Sequence, residues 1–321
     1  MKVGLDAFTI REISTDPVEQ LDFARKNGFD GVQFDEACYL GTDGAKLHDI
    51  TAYAKQYDLY TSPSVDVINP LVHKISADEN AKMVEAQIIA YAKVGWHELR
   101  TRTGGLDERG EAHRNGAVAV MKKLRPVLTE HQSRINFEDH GECTTFDLVR
   151  MVESVGDDIM GINLDLANTL VHAEDPYLAV KRCAPYVHST HAKDGILYFT
   201  PNGVTRQGRP AGQGVVDWDK ILPVLHRHNP GLALSVEDHK WLFEVKIFDQ
   251  EWIDDHPDLT AYELGQFVQK AYLCTEKILK KELPDPAEYE KTPFAEEMMS
   301  RLTFARDYLK GRISALTPAP Q

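Results

Sequence analysis

No apolar run in the 321-residue sequence approaches the ~20 residues that a membrane-spanning helix needs. The opening stretch, MKVGLDAFTI, lacks the charged-then-apolar layout of a secretory signal and already reads as a strand, so a cytoplasmic protein is expected. Cysteine is scarce. Cys38, Cys143, Cys183 and Cys274 are widely spread with no C-x-x-C pair, which argues for reduced, mostly buried thiols and against a disulfide framework. Positive charge is in deficit: 36 Lys and Arg against 50 Asp and Glu give a net charge of −14. Neither nucleic acid nor an anionic membrane is therefore an expected partner, because each needs a basic face. There is no Walker sequence, and the residues after the first strand, LDAFTIREIS, hold no glycine where a doubly wound sheet would carry its fingerprint.

What is present is enough apolar material for a large core, 42% hydrophobic residues, in a length that suits one α/β barrel of about 250 residues with insertions. Strand-like and helix-like runs alternate along the chain. The strands read KVGLDAF, GVQFDE, YTSPSVD, HELRTRT, RINFEDH, IMGINLDLAN, VHSTHAKDG and LALSVEDH, and an amphipathic helical pattern follows each. Eight strand–helix pairs joined by crossovers predict a parallel sheet closed into a (β/α)8 TIM barrel over residues 1–281. Residues 282–321 form a proline-marked linker and a final helix, an extension expected to pack on the barrel or on a neighbouring subunit. Two long loops, Gly195–Val216 after the seventh strand and Lys240–Leu259 after the eighth, should overhang the mouth. Their aromatics (Tyr198, Phe199, Trp241, Phe243, Phe248, Trp252) suit a lid or a subunit contact. GQGVVDW within the first reads as a tight turn leading to Asp217 as a helix cap, with Trp218 packing behind it.

Two strands end in the same costly triplet, Glu138-Asp139-His140 and Glu237-Asp238-His239. Side chains alternate between the faces of a strand, so Asn136, Glu138 and His140 share one face while Ile135 and Phe137 share the other. The same alternation puts Glu237 with Ala233, Ser235 and His239, and Asp165 with Gly161 and Asn163. In a barrel the large apolar residues face the helices, and the polar ones face the axis, with active residues at the carboxyl end. His191 lies as deep in its strand as the acids do in theirs. Glu138, Asp165, His191 and Glu237 then converge from four consecutive strands as three carboxylates and one imidazole. A single acid near a strand end is more often a helix cap, but four matching positions are hard to explain that way. The set is mostly oxygen and suits one divalent ion, Mn2+ first and Mg2+, Co2+ or Fe2+ as alternatives.

These motifs resemble the sugar phosphate isomerase/epimerase superfamily with its xylose isomerase-like barrel. The carriers are NFEDHG, NLDLAN, VHSTHAKD and GQGVVDW, spread over Met1 to Lys280. The resemblance implies that Glu138, Asp165, His191 and Glu237 are metal ligands. Many members carry a histidine three residues after the second ligand, where this chain has Asn168. More narrowly, Glu138-x-His140 and the long EDHKWLFEVKIFDQEWIDDHPDLT segment look like the large subunits of C-glycoside deglycosidases and related 3-keto-glycoside lyases. That likeness implies His140 as the base.

The chemistry implied is removal of a proton from carbon beside a carbonyl of a sugar, keto-sugar or glycoside. β-Elimination or isomerisation and epimerisation would follow. On this reading Glu138, Glu237, His140 and His239 are catalytic, His239 as a second acid/base or a ligand of substrate oxygen, and Lys193 and Arg102 bind substrate. In an epimerase proper the two glutamates would exchange protons from opposite faces. A sugar-binding barrel without catalysis, or an accessory subunit, is the competing class. The partners expected are a small carbohydrate and either further copies of this chain or a small second subunit.

Overall fold

The computed structural model describes residues 1–35, 40–105 and 107–316; Cys38 lies outside them. The first half of the chain runs β1 (Lys2–Asp6), α1 (Pro17–Lys26), β2 (Gly31–Gln33), α2 (Gly44–Gln56), β3 (Tyr60–Ser62), α3 (Pro70–His73), α4 (Ala77–Ala92), β4 (Glu98–Thr101) and α5 (Glu111–Glu130). It continues through β5 (Arg134–Glu138), α6 (Thr145–Val155), β6 (Met160–Asp165), α7 (Pro176–Cys183) and β7 (Val187–Ala192). Then come β8 (Asp194–Thr200), β9 (Gly203–Arg209), α8 (Trp218–His228), β10 (Ala233–Val236), β11 (Leu242–Val245), α9 (Gln250–Asp254), α10 (Ala261–Leu279), α11 (Pro286–Lys291) and α12 (Phe294–Ser314).

Eight of these strands pair in parallel in the order β3-β2-β1-β10-β7-β6-β5-β4. Where β3 meets β4 the contact thins to a bridge between Ser64 and Arg100, with Val65 N donating to Arg100 O (2.8 Å) and Arg100 N to Pro63 O (2.9 Å). The barrel is thus nearly closed, as the alternation predicts. Alternation also sorts the strand residues. Ile135, Phe137, Ile162, Leu164, Leu234 and Val236 are buried in the main apolar core. Gly161 leaves room for Asn136, whose Oδ1 would stand 2.2 Å from any Cβ at that position. The helices start where short polar side chains supply the missing acceptors: Asp16 caps α1, Asp43 α2, Ser76 α4, Thr144 α6 and Asp217 α8. GQGVVDW is the expected turn. Asp194 ties it down by accepting from Gly212 N (3.0 Å), Val216 N (3.1 Å) and Trp218 Nε1 (3.1 Å).

The long connections after β7 and β10 carry secondary structure of their own. β8 and β9 form an antiparallel hairpin, and β11 adds to β9 to make a three-stranded side sheet. Gly203, at φ +150°, opens β9 where a Cβ would meet Val245 O at 2.2 Å, so only glycine lets β11 come this close. α10 packs on this side sheet, where Phe267 and Ala271 join Leu197, Val204 and Val245 in a second small core.

α12 packs on β1, β10 and α8, burying Leu302, Ala305 and Leu309 in the main core. Lys310 reaches from it to Gly28 O (2.8 Å) and Asp30 Oδ1 (2.7 Å) beside the end of α1. The helix read from sequence as the barrel's eighth therefore sits on the side sheet, while the last helix covers the gap between α8 and α1. Arg301 of α12 fixes Asp238 by a two-pronged pair, Nε to Oδ2 at 2.7 Å and Nη2 to Oδ1 at 2.6 Å, both residues buried. Breaking a buried pair leaves an uncompensated charge, so Arg301→Met is expected to lower unfolding free energy by about 3–5 kcal/mol in urea titration. Leu279→Ala, at a side chain 77% exposed, should stay within about 0.5 kcal/mol.

Cys143, Cys183 and Cys274 are buried free thiols. No helix among the described residues is long and apolar enough to cross a membrane.

Candidate active site

Four neighbouring strands bring Glu138, Asp165, His191 and Glu237 to one point at the carboxyl end of the barrel. Asp165 and His191 are register partners on β6 and β7, Glu138 closes β5, and Glu237 comes directly after β10. All four are buried, and one ligand atom from each lies within 4.8 Å of the others. Each acid has one oxygen anchored away from that point. Glu138 Oε2 accepts from Arg100 Nη1 at 2.9 Å. Asp165 Oδ1 takes the amides of Ala167 (2.9 Å) and Asn168 (3.0 Å), while its Oδ2 accepts from Lys193 Nζ (3.1 Å). Glu237 Oε1 takes Lys193 Nζ (2.7 Å) and lies 3.2 Å from His239 Nε2.

The opposite oxygens converge on a single ring nitrogen. His191 Nδ1 is 3.2 Å from Glu138 Oε1, 3.7 Å from Asp165 Oδ2 and 2.8 Å from Glu237 Oε2, yet it is buried without a well-formed hydrogen bond. Behind the ring, Nε2 lies 2.6 Å from the Gln33 side-chain amide and 3.4 Å from Asp6 Oδ2. Asp6 Oδ2 is itself buried without a partner. Asp6 thus stands at the Nε2 edge, where a carboxylate commonly orients a metal-binding histidine, and the Nδ1 edge is the one turned to the centre.

Electrostatics agree with the geometry. Burial would raise the Glu138 and Glu237 pKa values, but neighbouring cationic groups, His191 with Arg100 and Lys193, outweigh it and hold both below the usual carboxylate range. Burial would lower His191, but Glu138, Glu237 and Asp6 raise it well above an ordinary imidazole. The acids demand positive charge at this point, and an orphaned imidazole nitrogen faces it. The donor set fits a divalent cation and could hold one.

The intervening acids of the two EDH triplets face outward and are structural. Asp139 Oδ1 accepts Asp165 N at 2.6 Å, and Asp238 holds α12 through Arg301. The two histidines differ. His140 lines a cavity of about 470 Å³ above the cluster, together with Arg102 and Lys193. His239 is buried outside that lining, its Nε2 turned to Glu237, and burial beside Lys193 pushes its pKa down to about 4. The ring is neutral at neutral pH and serves Glu237.

The same cavity contains residues that sequence reading passed over. Asp6 ends β1 and Arg100 sits in β4, each on the inward face that alternation assigns to acids and bases. Asp35 and Phe8 also line it. Of the aromatics in the long segments, Trp241 and Phe243 form its wall with Phe8, and Trp241 meets Phe8 edge-on at 5.5 Å. Tyr198, Phe199, Phe248 and Trp252 lie elsewhere. Asn168 lines the cavity at the position where a histidine is common.

A family model for the xylose isomerase-like TIM barrel matches residues 21–256. The chain belongs to this family. The Uncharacterized protein YihM of Escherichia coli (strain K12) is 22% identical over 256 residues, which is 78% of this chain and 68% of that one. Among solved structures, an L-ribulose 3-epimerase superposes with a TM-score of 0.61 at 15% identity over 99% of both chains. The IOLI protein with a bound zinc atom gives 0.57 at 19% identity, over 86% of this chain and 98% of its own. At these identities the likeness is one of fold. The structural neighbours of this xylose isomerase-like barrel include several sugar epimerases.

Proposed function

We propose that this xylose isomerase-like barrel is a metal-dependent enzyme that removes a proton from the carbon beside a carbonyl of a sugar. The observation that carries this reading is the convergence of three buried carboxylates, each with one oxygen turned to His191 Nδ1, at the floor of a sugar-sized cavity. A divalent cation held by Glu138, Asp165, His191 and Glu237 would supply Lewis-acid stabilisation of the negative charge that develops on oxygen as the carbon loses its proton. His140 takes that proton. Lys193 and Arg102 donate hydrogen bonds to substrate oxygens, and Asn168 can add an amide. His239 positions Glu237.

The finer reading is cleavage of a 3-keto-glycoside. The cavity is charged at its floor and aromatic at its wall, and Phe8, Trp241 and Phe243 suit an apolar aglycone. The proton leaves the carbon between the carbonyl and the anomeric carbon. The electron pair then re-forms the carbonyl and expels the aglycone, which leaves with the bonding pair and gains a proton; the sugar product is an enone. Trp241→Ala is expected to raise KM for an aryl glycoside about tenfold, ~1.4 kcal/mol, and to change KM for a free ketose by less than about twofold in steady-state kinetics.

A second reading is ketose 3-epimerisation. The placement of Glu138 and Glu237 on separate strands with their free oxygens turned to one centre favours it, as does the fold shared with an L-ribulose 3-epimerase. Proton NMR in D2O with Mn2+-treated, then Mg2+-exchanged protein separates the cases. Deuterium wash-in with aglycone release supports elimination, and wash-in with a new ketose epimer supports the second reading. No exchange with either substrate class would leave a sugar-binding barrel without catalysis.

A further inference from the structure

His140 is the one imidazole of the two EDH triplets that faces the cavity, and what stands behind it has no role in the site so far. Glu142 comes two residues later and is buried. Its Oε1 is locked by three donors, Thr103 N (3.0 Å), Thr103 Oγ1 (3.0 Å) and Gly104 N (3.1 Å). With that oxygen fixed, the carboxylate plane is fixed as well. Its other oxygen, Oε2, is buried with no hydrogen-bond partner of its own among the described residues and stands 3.5 Å from His140 Nδ1. A locked carboxylate with one bare oxygen aimed at an imidazole is poorly explained by stability. Burying it unpaired costs free energy that folding alone would not require.

Arg102 is a further neighbour of the ring among the described residues. Arg102 Nη1 is 3.5 Å from His140 Nδ1 and 3.4 Å from Nε2. A point almost equidistant from both nitrogens at that range lies above the ring and on neither lone-pair axis. Glu142 is the carboxylate at the Nδ1 edge, and among the described residues no acid is paired with Nε2, which leaves that nitrogen for a molecule in the cavity that His140 lines.

We propose that Glu142 is the positioning residue for His140: it holds the proton of the neutral ring on Nδ1, so that the lone pair on Nε2 faces the substrate. This rests on His140 being the base. When the substrate carbon gives up its proton, the proton passes to Nε2, the imidazolium keeps its Nδ1–H towards Glu142, and the carboxylate stays ionised throughout. The 3.5 Å separation shortens as the ring charges, as catalytic hydrogen bonds that are long in the resting protein commonly do.

Two measurements test this. In full-length, Zn2+-loaded protein labelled with 15N-histidine, at a pH where the ring is neutral, the His140 signal (assigned by its loss in His140→Gln) should report a protonated Nδ1 and a bare Nε2. The opposite tautomer overturns the proposal. In Glu142→Gln the side-chain oxygen can still accept from Thr103 and Gly104, but the second oxygen becomes an amide that cannot accept. Deuterium wash-in should fall at least about 100-fold in kcat with KM within about threefold, one metal per chain and an unchanged melting temperature. Full turnover in that variant overturns the proposal, as does a loss that tracks loss of metal. Should the variant not fold, the wild-type tautomer decides alone. Retained turnover in His140→Gln would sink the base assignment while the tautomer measurement still judged the Glu142 contact, so the two failures are told apart.

Discussion

Replacing His191 by alanine should reduce bound divalent metal from one per chain to less than about a tenth, in elemental analysis after dialysis against micromolar Mn2+. The variant removes the only nitrogen among the four converging atoms, and the remaining three acids then face one another with weaker geometric definition. Groups that merely orient a metal ligand commonly change affinity by about 10–100-fold, so loss of a ligand should exceed that range. Asp6→Asn belongs to the orienting class and should fall within it, because Asp6 Oδ2 stands 3.4 Å behind the ring. The protein should still fold, since the barrel core consists of apolar residues packed outside the strands. If His191→Ala keeps full metal while Asp6→Asn loses it, the ligand set is wrong.

His140→Gln should behave oppositely, keeping its metal and losing turnover. The ring lies at the cavity wall, side chain 35% exposed, outside the four-residue cluster, so nothing about metal retention depends on it. A positioned general base contributes about 10²–10⁴-fold, and that is the expected fall in deuterium exchange at the substrate carbon. Glu138→Gln should lose both metal and exchange. The contrast between these variants separates a base from a ligand two residues earlier in the chain, at the end of β5.

Much of this arrangement was legible because strand periodicity converts sequence directly into direction. Once RINFEDH, GINLDLAN, VHSTHAKD and LALSVEDH are read as parallel staves, the inward acid or imidazole at each carboxyl end can be named. The same rule reaches Asp6 in KVGLD and Arg100 in HELRT. They escaped notice because neither belongs to a repeated triplet, and Arg102, the next inward residue, is closer to the mouth. Phe8 could not be found this way, since it comes after its strand has ended in a turn where alternation lapses. The hairpin β8–β9 was hidden by its glycines and its length, although Asn202-Gly203 between two β-rich runs is a recognised turn signal. Which of two late helices covers the last side of the barrel was beyond local pattern. α10 and α12 each bury a few apolar residues, and only tertiary contact distinguishes Phe267 on the side sheet from Leu309 on the barrel.

The twin EDH triplets show a similar limit. The sequence reading placed both histidines at the substrate, His140 as base and His239 as second acid/base or ligand of substrate oxygen, yet one faces the cavity and the other leans on Glu237 beside Trp241, 4.4 Å from its ring. The difference lies in the chain just beyond each triplet. Gly141, with φ +82°, turns the backbone so that His140 is left at the wall, whereas Asp238 and Lys240 are pinned by α12 and the segment before it.

Above all, one divalent cation should sit among Glu138, Asp165, His191 and Glu237. Anomalous diffraction at the manganese edge from crystals grown with Mn2+ tests this most directly. A single peak about 2.0–2.4 Å from one oxygen of each acid and from His191 Nδ1 is the predicted result. Crystals that show no peak there, with Lys193 Nζ still bridging Asp165 Oδ2 and Glu237 Oε1 as the only cation among the acids, would contradict it.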